Sequence, residues 1–403
     1  MACFPWPMES IAKLESLIRG FFWLGKISAK GGQCLVAWQS VTLPRTSGGL
    51  GVWDLAAHNQ AMPSKFVARV LQFSDVPCYQ WLAHQYCQNN MPLKRWNQDS
   101  AIWKGFKQFI PLILASSRCS LGSGTTISFW HDCWLPVGRL CFVLPTLFSF
   151  AHGCCTVTSQ FHQGRWRILL HPNLSSTTVQ ELRFLCDLLA ALMPSSSHVD
   201  VRSSALQNKA VTTSYIYMLL TFRGISSIIS PWIWEPVIPL KHRIFLWLAF
   251  RGRLNSRDNM VKKHWTSITA HQDCDICPAC ESIDHIVLRC SPASILWDSL
   301  HMTNLANCST DLLIGFMQEA LHACPPSSRF SLMFAAAAVT LWHSRNDRVF
   351  NNKQWSPTYI KLYAVQLLTL WKNRARKTAD QDALAAWIQW LSPAYASLLP
   401  LPP

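Results

Sequence analysis

Four cysteines and a histidine crowd between Cys274 and Cys290, and no other feature restricts the fold so much. The spacing Cys277-x2-Cys280-x4-His285-x4-Cys290 offers three thiolates and one imidazole, the donors that tetrahedral zinc takes. A Cys-x2-Cys turn presents two thiolates to one ion, and the later histidine and cysteine close the shell from the other side. Four protein donors leave no open coordination position, so the expectation is a structural Zn2+ site. Cys274 forms an overlapping Cys274-x2-Cys277 pair and could replace Cys280 as a ligand, an alternative that spacing leaves open. His285 and Cys290 are five residues apart, which on a straight α-helix would turn them about 140° from each other. The helix carrying His285 is therefore expected to end before or at Cys290. Ser291-Pro292 then supplies an N-cap and first-turn pair for a new helix through Trp297.

The rest of the composition sets the context. Half of the residues are hydrophobic and 14% are charged, a globular balance. The opening, MACFPWPMES, lacks the charged and apolar regions of a secretory signal, and no apolar run reaches the ~20 residues of a membrane helix. The expectation is an intracellular protein of nucleus or cytoplasm, not secreted and without a membrane partner. Its 16 cysteines are then mostly reduced, buried residues rather than a disulfide framework. The formal charge of +15 favours an anionic partner, with RNA or single-stranded DNA the expected class. A basic run lies just upstream of the cysteines: Lys241, Arg243, Arg251, Arg253, Arg257, Lys262 and Lys263, offset by Asp258 and interleaved with Trp247 and Trp265. It reads equally as a phosphate clamp and as a solvated face over an aromatic core.

Periodicity and punctuation give a mainly α fold of small helical domains with short β-hairpins and one zinc-knuckle-like site. Residues 1–75 read as helix, turn, helix, with one apolar face from Ile11 to Phe22 and a second helical region from Val52 to Val70. CLVAW between them reads as a short strand or buried turn. Residues 100–136 hold a helix from Ile102 to Leu114 and a small hairpin in LGSGTTISFWHDCWL. Residues 137–211 are irregular with one helix near 178–192 and a linker over Ser195–Ser204. The zinc-binding unit occupies 212–300, and 325–403 forms a helical tail.

These residues carry a resemblance. Ser214 to Trp297 resembles the reverse-transcriptase zinc-binding domain of plant LINE-type (non-LTR) retrotransposons. The likeness rests on Trp232, Trp234, Pro239-Leu-Lys-His-Arg-Ile-Phe-Leu-Trp247, Leu254, Arg257-Asp258, CPAC, DHIVLRC and ILW. A lone tryptophan after the Cys/Cys/His/Cys set, as Trp297 is here, belongs to that pattern. The segment FFWLGKISAKGGQCLVAWQSVTLPRTSGGLGVWDL is similar to the post-thumb region of the same elements. SGTTISFWHDCWL and LWHSRNDRVF are similar to later parts. The resemblance implies a zinc-binding helical module from the downstream end of a retrotransposon polyprotein, with retrotransposon proteins among its partners. The loop between the ligands departs from nucleic-acid-reading knuckles, because it offers Ile283, Ile286, Val287 and Leu288 rather than a stacking aromatic.

Polymerisation needs paired metal-binding aspartates, and the chain contains no Asp-Asp dipeptide. The expectation is therefore a non-enzymatic remnant with no catalytic residues, lacking polymerase palm, endonuclease and RNase H signatures. Two alternatives stay open: a structural or protein-interaction module whose zinc serves folding alone, and a truncated element without function. Gly20 to Lys26 approximates a phosphate-binding loop, but Ile27 stands where a hydroxyl must hold magnesium. His131-Asp132-Cys133 reads as part of a packed segment rather than a nucleophile pair.

Overall fold

Short polar side chains open several helices, each accepting a backbone N–H that the first turn leaves without a partner. Asp54 accepts from Ala57 N, Ser100 from Trp103 N, Ser175 from Thr178 N, Thr212 from Tyr215 N and Ser356 from Tyr359 N, at 2.9–3.2 Å. The structure is a computed structural model that describes all residues except 1–4, 73–75, 89–90, 93–98, 154, 196, 223, 225–226, 265–271, 301, 303–328 and 393–403. Along the chain run α1 (Met8–Leu24), α2 (Trp38–Thr42), α3 (Leu55–Leu71), α4 (Pro77–Tyr86), α5 (Ala101–Lys107), α6 (Ile110–Ser116), α7 (Leu140–Val143), α8 (Pro145–Ser149), α9 (Ser176–Leu189) and α10 (Thr213–Thr221). Then follow α11 (Ser230–Ile233), α12 (Leu240–Phe250), α13 (Arg257–Lys262), a π turn (His285–Arg289), α14 (Ser291–Asp298), α15 (Phe330–Asn351), α16 (Pro357–Arg374) and α17 (Thr378–Leu391). Among the described residues, strands are confined to two-stranded antiparallel pairs: β1 (Cys87–Gln88) with β2 (Met91–Pro92), β3 (Ser117–Ser120) with β6 (Val201–Ser204), and β4 (Phe161–His162) with β5 (Arg165–Trp166). The chain is mainly helical, as its periodicity requires. No helix among the described residues is long and apolar enough to cross a membrane.

Two compact units form, one from Met1–Ser16 and Trp53–Phe222, the other from Leu17–Val52 and Arg223–Pro403. They do not follow the segment boundaries read from sequence. Residues 212–222 of the zinc-binding segment fold with the first unit, where α10 packs on α3 and Tyr215 Oη donates to Ser116 O at 2.8 Å. Residues 17–52 fold with the second unit, because Val36, Trp38, Val41 and Leu50 belong to the core that holds Trp247 and Trp297.

The first unit has two apolar centres. One joins α3, α5, α6 and α10 through Ala61, Val67, Trp103, Phe106, Ile113 and Ile216. The other collects Phe129, Trp130, Leu140, Leu147, Val157 and Leu185. Three sequence expectations are corrected here. The helix expected over Ile102–Leu114 breaks into α5 and α6, since Pro111 cannot continue a helix and instead sits in the first turn of a new one. Residues 121–135 form turns and isolated bridges rather than a hairpin. The Ser195–Ser204 stretch does not end as a linker, because Val201–Ser204 is a strand with Arg202, Ser203 and Ser204 buried.

The physical reason for the last two is one buried polar network. Asp200 accepts from Gly122 N and Gly124 N at 2.8 Å and from Thr126 N at 2.9 Å, so the chain must turn around the carboxylate. Gly124 takes φ +73, a conformation that glycine alone adopts freely. Asp132 meets Arg202 at 2.8 Å and also accepts from Ser128 N at 2.8 Å. Burial opposes the charge on Arg202, and the Asp132 carboxylate more than offsets it, so the guanidinium is held above its usual range. Asp132 is thus a structural anchor.

The second unit is built on α15. Every side chain from Leu332 to Leu341 is buried, and the run Ala335–Ala338 keeps the helix slim enough to be surrounded. It packs against α12, α14, α16 and the π turn, with Trp247, Trp297, Trp371 and Trp387 filling the space around it.

Removing Arg202 leaves the Asp132 carboxylate buried without its cation. Arg202→Met should destabilise the first unit by about 3 kcal/mol, read from urea unfolding, and adding Asp132→Asn should recover part of the loss. No change in the single variant would remove this ion pair from the account of the fold.

Candidate metal centre

Gln272 to Glu281 forms a tight antiparallel turn. Glu281 N donates to Gln272 O and Cys274 N to Ala279 O, both at 2.8 Å, and Asp273 pairs with Cys280 across the ladder. Directly paired residues share a face and neighbours along a strand alternate. Cys280, opposite Asp273, therefore points away from the face of Cys274. Cys274 is buried, whereas Cys280 is exposed.

The chain then enters the π turn. Ser282 Oγ accepts from His285 N at 3.2 Å, and Cys290 N donates to His285 O at 2.7 Å. This five-residue hydrogen bond stacks two residues that an α-helix would hold on different sides. Cys290 itself is extended (φ −64, ψ 149) and serves as the N-cap of α14, one residue earlier than the expected Ser291, with Pro292 in the first turn. Trp297 Nε1 donates to Val287 O at 2.8 Å, fastening α14 back onto the π turn.

These turns gather Cys274, Cys277, His285 and Cys290, whose donor atoms all lie within 4.8 Å of one another. Cys274 Sγ is 3.7 Å and Cys277 Sγ 3.8 Å from Cys290 Sγ. Tetrahedral zinc with Zn–S bonds of about 2.3 Å sets sulfur–sulfur edges of about 3.8 Å. His285 Nε2 faces Cys277 Sγ at 3.1 Å, somewhat inside the edge of about 3.6 Å that an ion between them would set. Donor types, number and spacing fit a closed four-ligand site. Cys280, read from sequence as a ligand, is replaced in the cluster by Cys274, the alternative that spacing left open. The selecting feature is strand alternation in the turn, which two overlapping Cys-x2-Cys pairs do not reveal.

Burial keeps these donors uncharged, so a cation must displace the thiol protons to bind. Burial pushes the Cys277 and Cys290 thiols up, and the neighbouring Cys274 adds to both. The Ser291 backbone N–H at the start of α14 works the other way on Cys277. Burial lowers His285, favouring the neutral imidazole that binds metal. A cation gathering these thiols displaces their protons, so affinity falls as pH falls.

A buried acid joins this turn to α15. Glu281, fully buried, receives Arg345 Nε at 3.1 Å and also its Nη2, and Arg257 N at 3.2 Å. Arg257 also donates to Asp273 O at 2.6 Å and Asp275 at 2.7 Å. Sequence reasoning gave Arg345 no role, since its partner lies 64 residues away.

The basic run is divided by the structure. Arg257 holds the cysteine turn, Arg251 donates to Gly48 O at 2.7 Å while stacking 4.9 Å from the Trp247 ring, and Lys262 pairs with Asp258 at 2.8 Å. Lys241 and Arg253 are exposed, and Arg243 and Lys263 are half-buried. Lys263 is lowered by burial and then by Arg253. Trp265 lies outside the described residues.

Residues 212–297 match the family described as zinc-binding in reverse transcriptase. All four clustered donors fall inside this segment, and its last residue is the fastening Trp297. The chain is also 25% identical over 310 residues to an Arabidopsis thaliana protein described as "Putative ribonuclease H protein". The match covers 72% of this chain and 48% of that protein, so the chain spans about half the length of its relative.

Cys274→Ser, Cys277→Ser, His285→Ala and Cys290→Ser should each lower bound zinc from one ion per chain to well below half, whereas Cys280→Ser should keep it. Elemental analysis of the purified protein decides this. Zinc lost from Cys280→Ser but kept by Cys274→Ser would restore the other cysteine pair.

Proposed function

We propose that the chain is a non-catalytic, zinc-binding part of a retrotransposon-derived reverse-transcriptase polyprotein, and that it binds RNA or single-stranded DNA through the basic face of its second unit. The observation that carries the zinc part is the closed set of three thiols and one imidazole inside the reverse-transcriptase zinc-binding segment. Four protein donors would fill the coordination sphere, which suits a metal that holds structure rather than one that activates water. The turn joined to α15 by Glu281 and Arg345 gives such a metal a direct effect on the core.

The nucleic-acid part rests on charge. Of the formal +15, the second unit carries +10, with 22 Lys and Arg against 12 Asp and Glu; Lys241, Arg243, Arg253 and Lys263 are among its cations, with Arg45 added from the loop after α2. Phosphate contacts of this kind are sequence-tolerant and salt-dependent. The π turn itself buries Ile286, Val287 and Leu288, so base reading belongs elsewhere on the surface.

A second reading, zinc for folding alone with protein partners, is favoured by one observation: Arg251, Arg257 and Lys262 are all engaged within the fold. Full-length protein separates the two. With about four phosphate contacts, affinity for a 12-nucleotide dT oligomer should fall roughly fiftyfold between 50 and 200 mM salt. Absence of binding at low salt would leave the folding role standing alone. Chelation should melt the amides around the π turn and α15 in hydrogen exchange and leave α3 and α10 protected.

A further inference from the structure

A cleft of about 390 Å3 opens between the loop after α2 and α11, lined by Arg45, Thr46, Ser227, Ile228, Pro231 and Trp234. That volume suits one small planar ligand. The Arg45 guanidinium lies 4.8 Å from the centroid of the Trp234 ring, making a cation–π pair at one wall. Its position is held: Arg45 Nε donates to Leu50 O at 3.2 Å, Ser230 Oγ donates to Arg45 O, and Ser227 N donates to Thr46 O at 2.8 Å. The Nη groups of Arg45 have no hydrogen-bond partner among the described residues, and the side chain is exposed.

Further positive charge lies within electrostatic reach of Arg45. Arg243, on α12, is lowered first by burial and then by Arg45 and Arg374, so three guanidinium groups from distant segments influence one another. Arg243 Nε is shielded from water and lacks a hydrogen-bond partner among the described residues. Like charges held together repel, and a polyanion relieves that repulsion. An apolar slot beside such a cluster is the pairing that single-stranded nucleic acid requires, a flat base next to charged phosphates. Arginine planes and tryptophan rings both stack bases without regard to sequence.

We propose that this cleft is a single-nucleotide subsite, taking one unpaired base against the Arg45–Trp234 stack while the flanking phosphates rest on Arg45, Arg243 and Arg374. The subsite rests on the nucleic-acid reading above and deepens it, by placing base contact away from the metal turn.

The test uses the full-length zinc-loaded chain with fluorescein-labelled dT12 and U12 in anisotropy titrations, and U12 bearing 4-thiouridine for photocrosslinking. Arg45→Ala, with metal content and helical signal checked, should weaken both oligomers roughly tenfold or more. Arg374→Gln should weaken them less and reduce the salt slope by about 0.7. Crosslinks on the unaltered protein should map to peptides holding Arg45–Thr46 or Ser227–Trp234, a readout independent of how any variant folds. An Arg45→Ala protein within twofold of the original overturns the subsite, as do crosslinks that all fall elsewhere, while oligomer binding by the original protein keeps the broader reading. No binding by the original protein at low salt overturns both.

Discussion

Four donor atoms within 4.8 Å of one another fix the course of the chain from 272 to 298. Three thiols and an imidazole have little attraction of their own, so the backbone must be shaped to bring them together. Two devices do this. A paired turn turns Cys274 inward, and a π turn aligns His285 with Cys290 across five residues. The same π turn buries Ile286, Val287 and Leu288 between the donors and α15. Donor geometry and core packing therefore share one segment, and neither can shift without the other.

The Glu281–Arg345 pair extends this coupling. A fully buried carboxylate is costly unless it is matched, and here it is matched by an arginine on α15 and by Arg257 N at the start of α13. Arg257 in turn holds Asp273 and Asp275 on the paired turn. Arg257 and Arg345 are thus framework. Arg45 and Arg253, by contrast, are exposed, and Trp234 and Trp247 each carry a stacked arginine.

Much of this was legible in the sequence, and the reasons for the rest are specific. The helix from Met8 and the helix near 178–192 follow apolar periodicity, and Ser175 and Ser356 cap the latter and α16 locally. The donor types were legible because few other functions need them bunched so closely. The choice between Cys274 and Cys280 was not, because it depends on which residues of the turn face each other. The strand at Val201–Ser204 was also hidden: its polar side chains look like a linker until Asp200 and Arg202 are seen to serve residues 122–132. A polar stretch reads as solvent-exposed when its partners lie some 70 residues away.

The same distance effect explains why charge near the metal turn misleads. Counting Lys and Arg along one segment treats every cation as available, whereas an arginine can satisfy backbone carbonyls and buried acids with its several donors. Arg251 and Arg257 do so, and Lys262 is matched within α13. Arg45 contributes from a segment remote in sequence yet meets Trp234 directly. An anionic partner would therefore select a surface assembled from three separated stretches, the loop after α2, α12 and the end of α16. It would engage that surface only when the second unit is folded, and the cysteine turn contributes to that folding through Glu281.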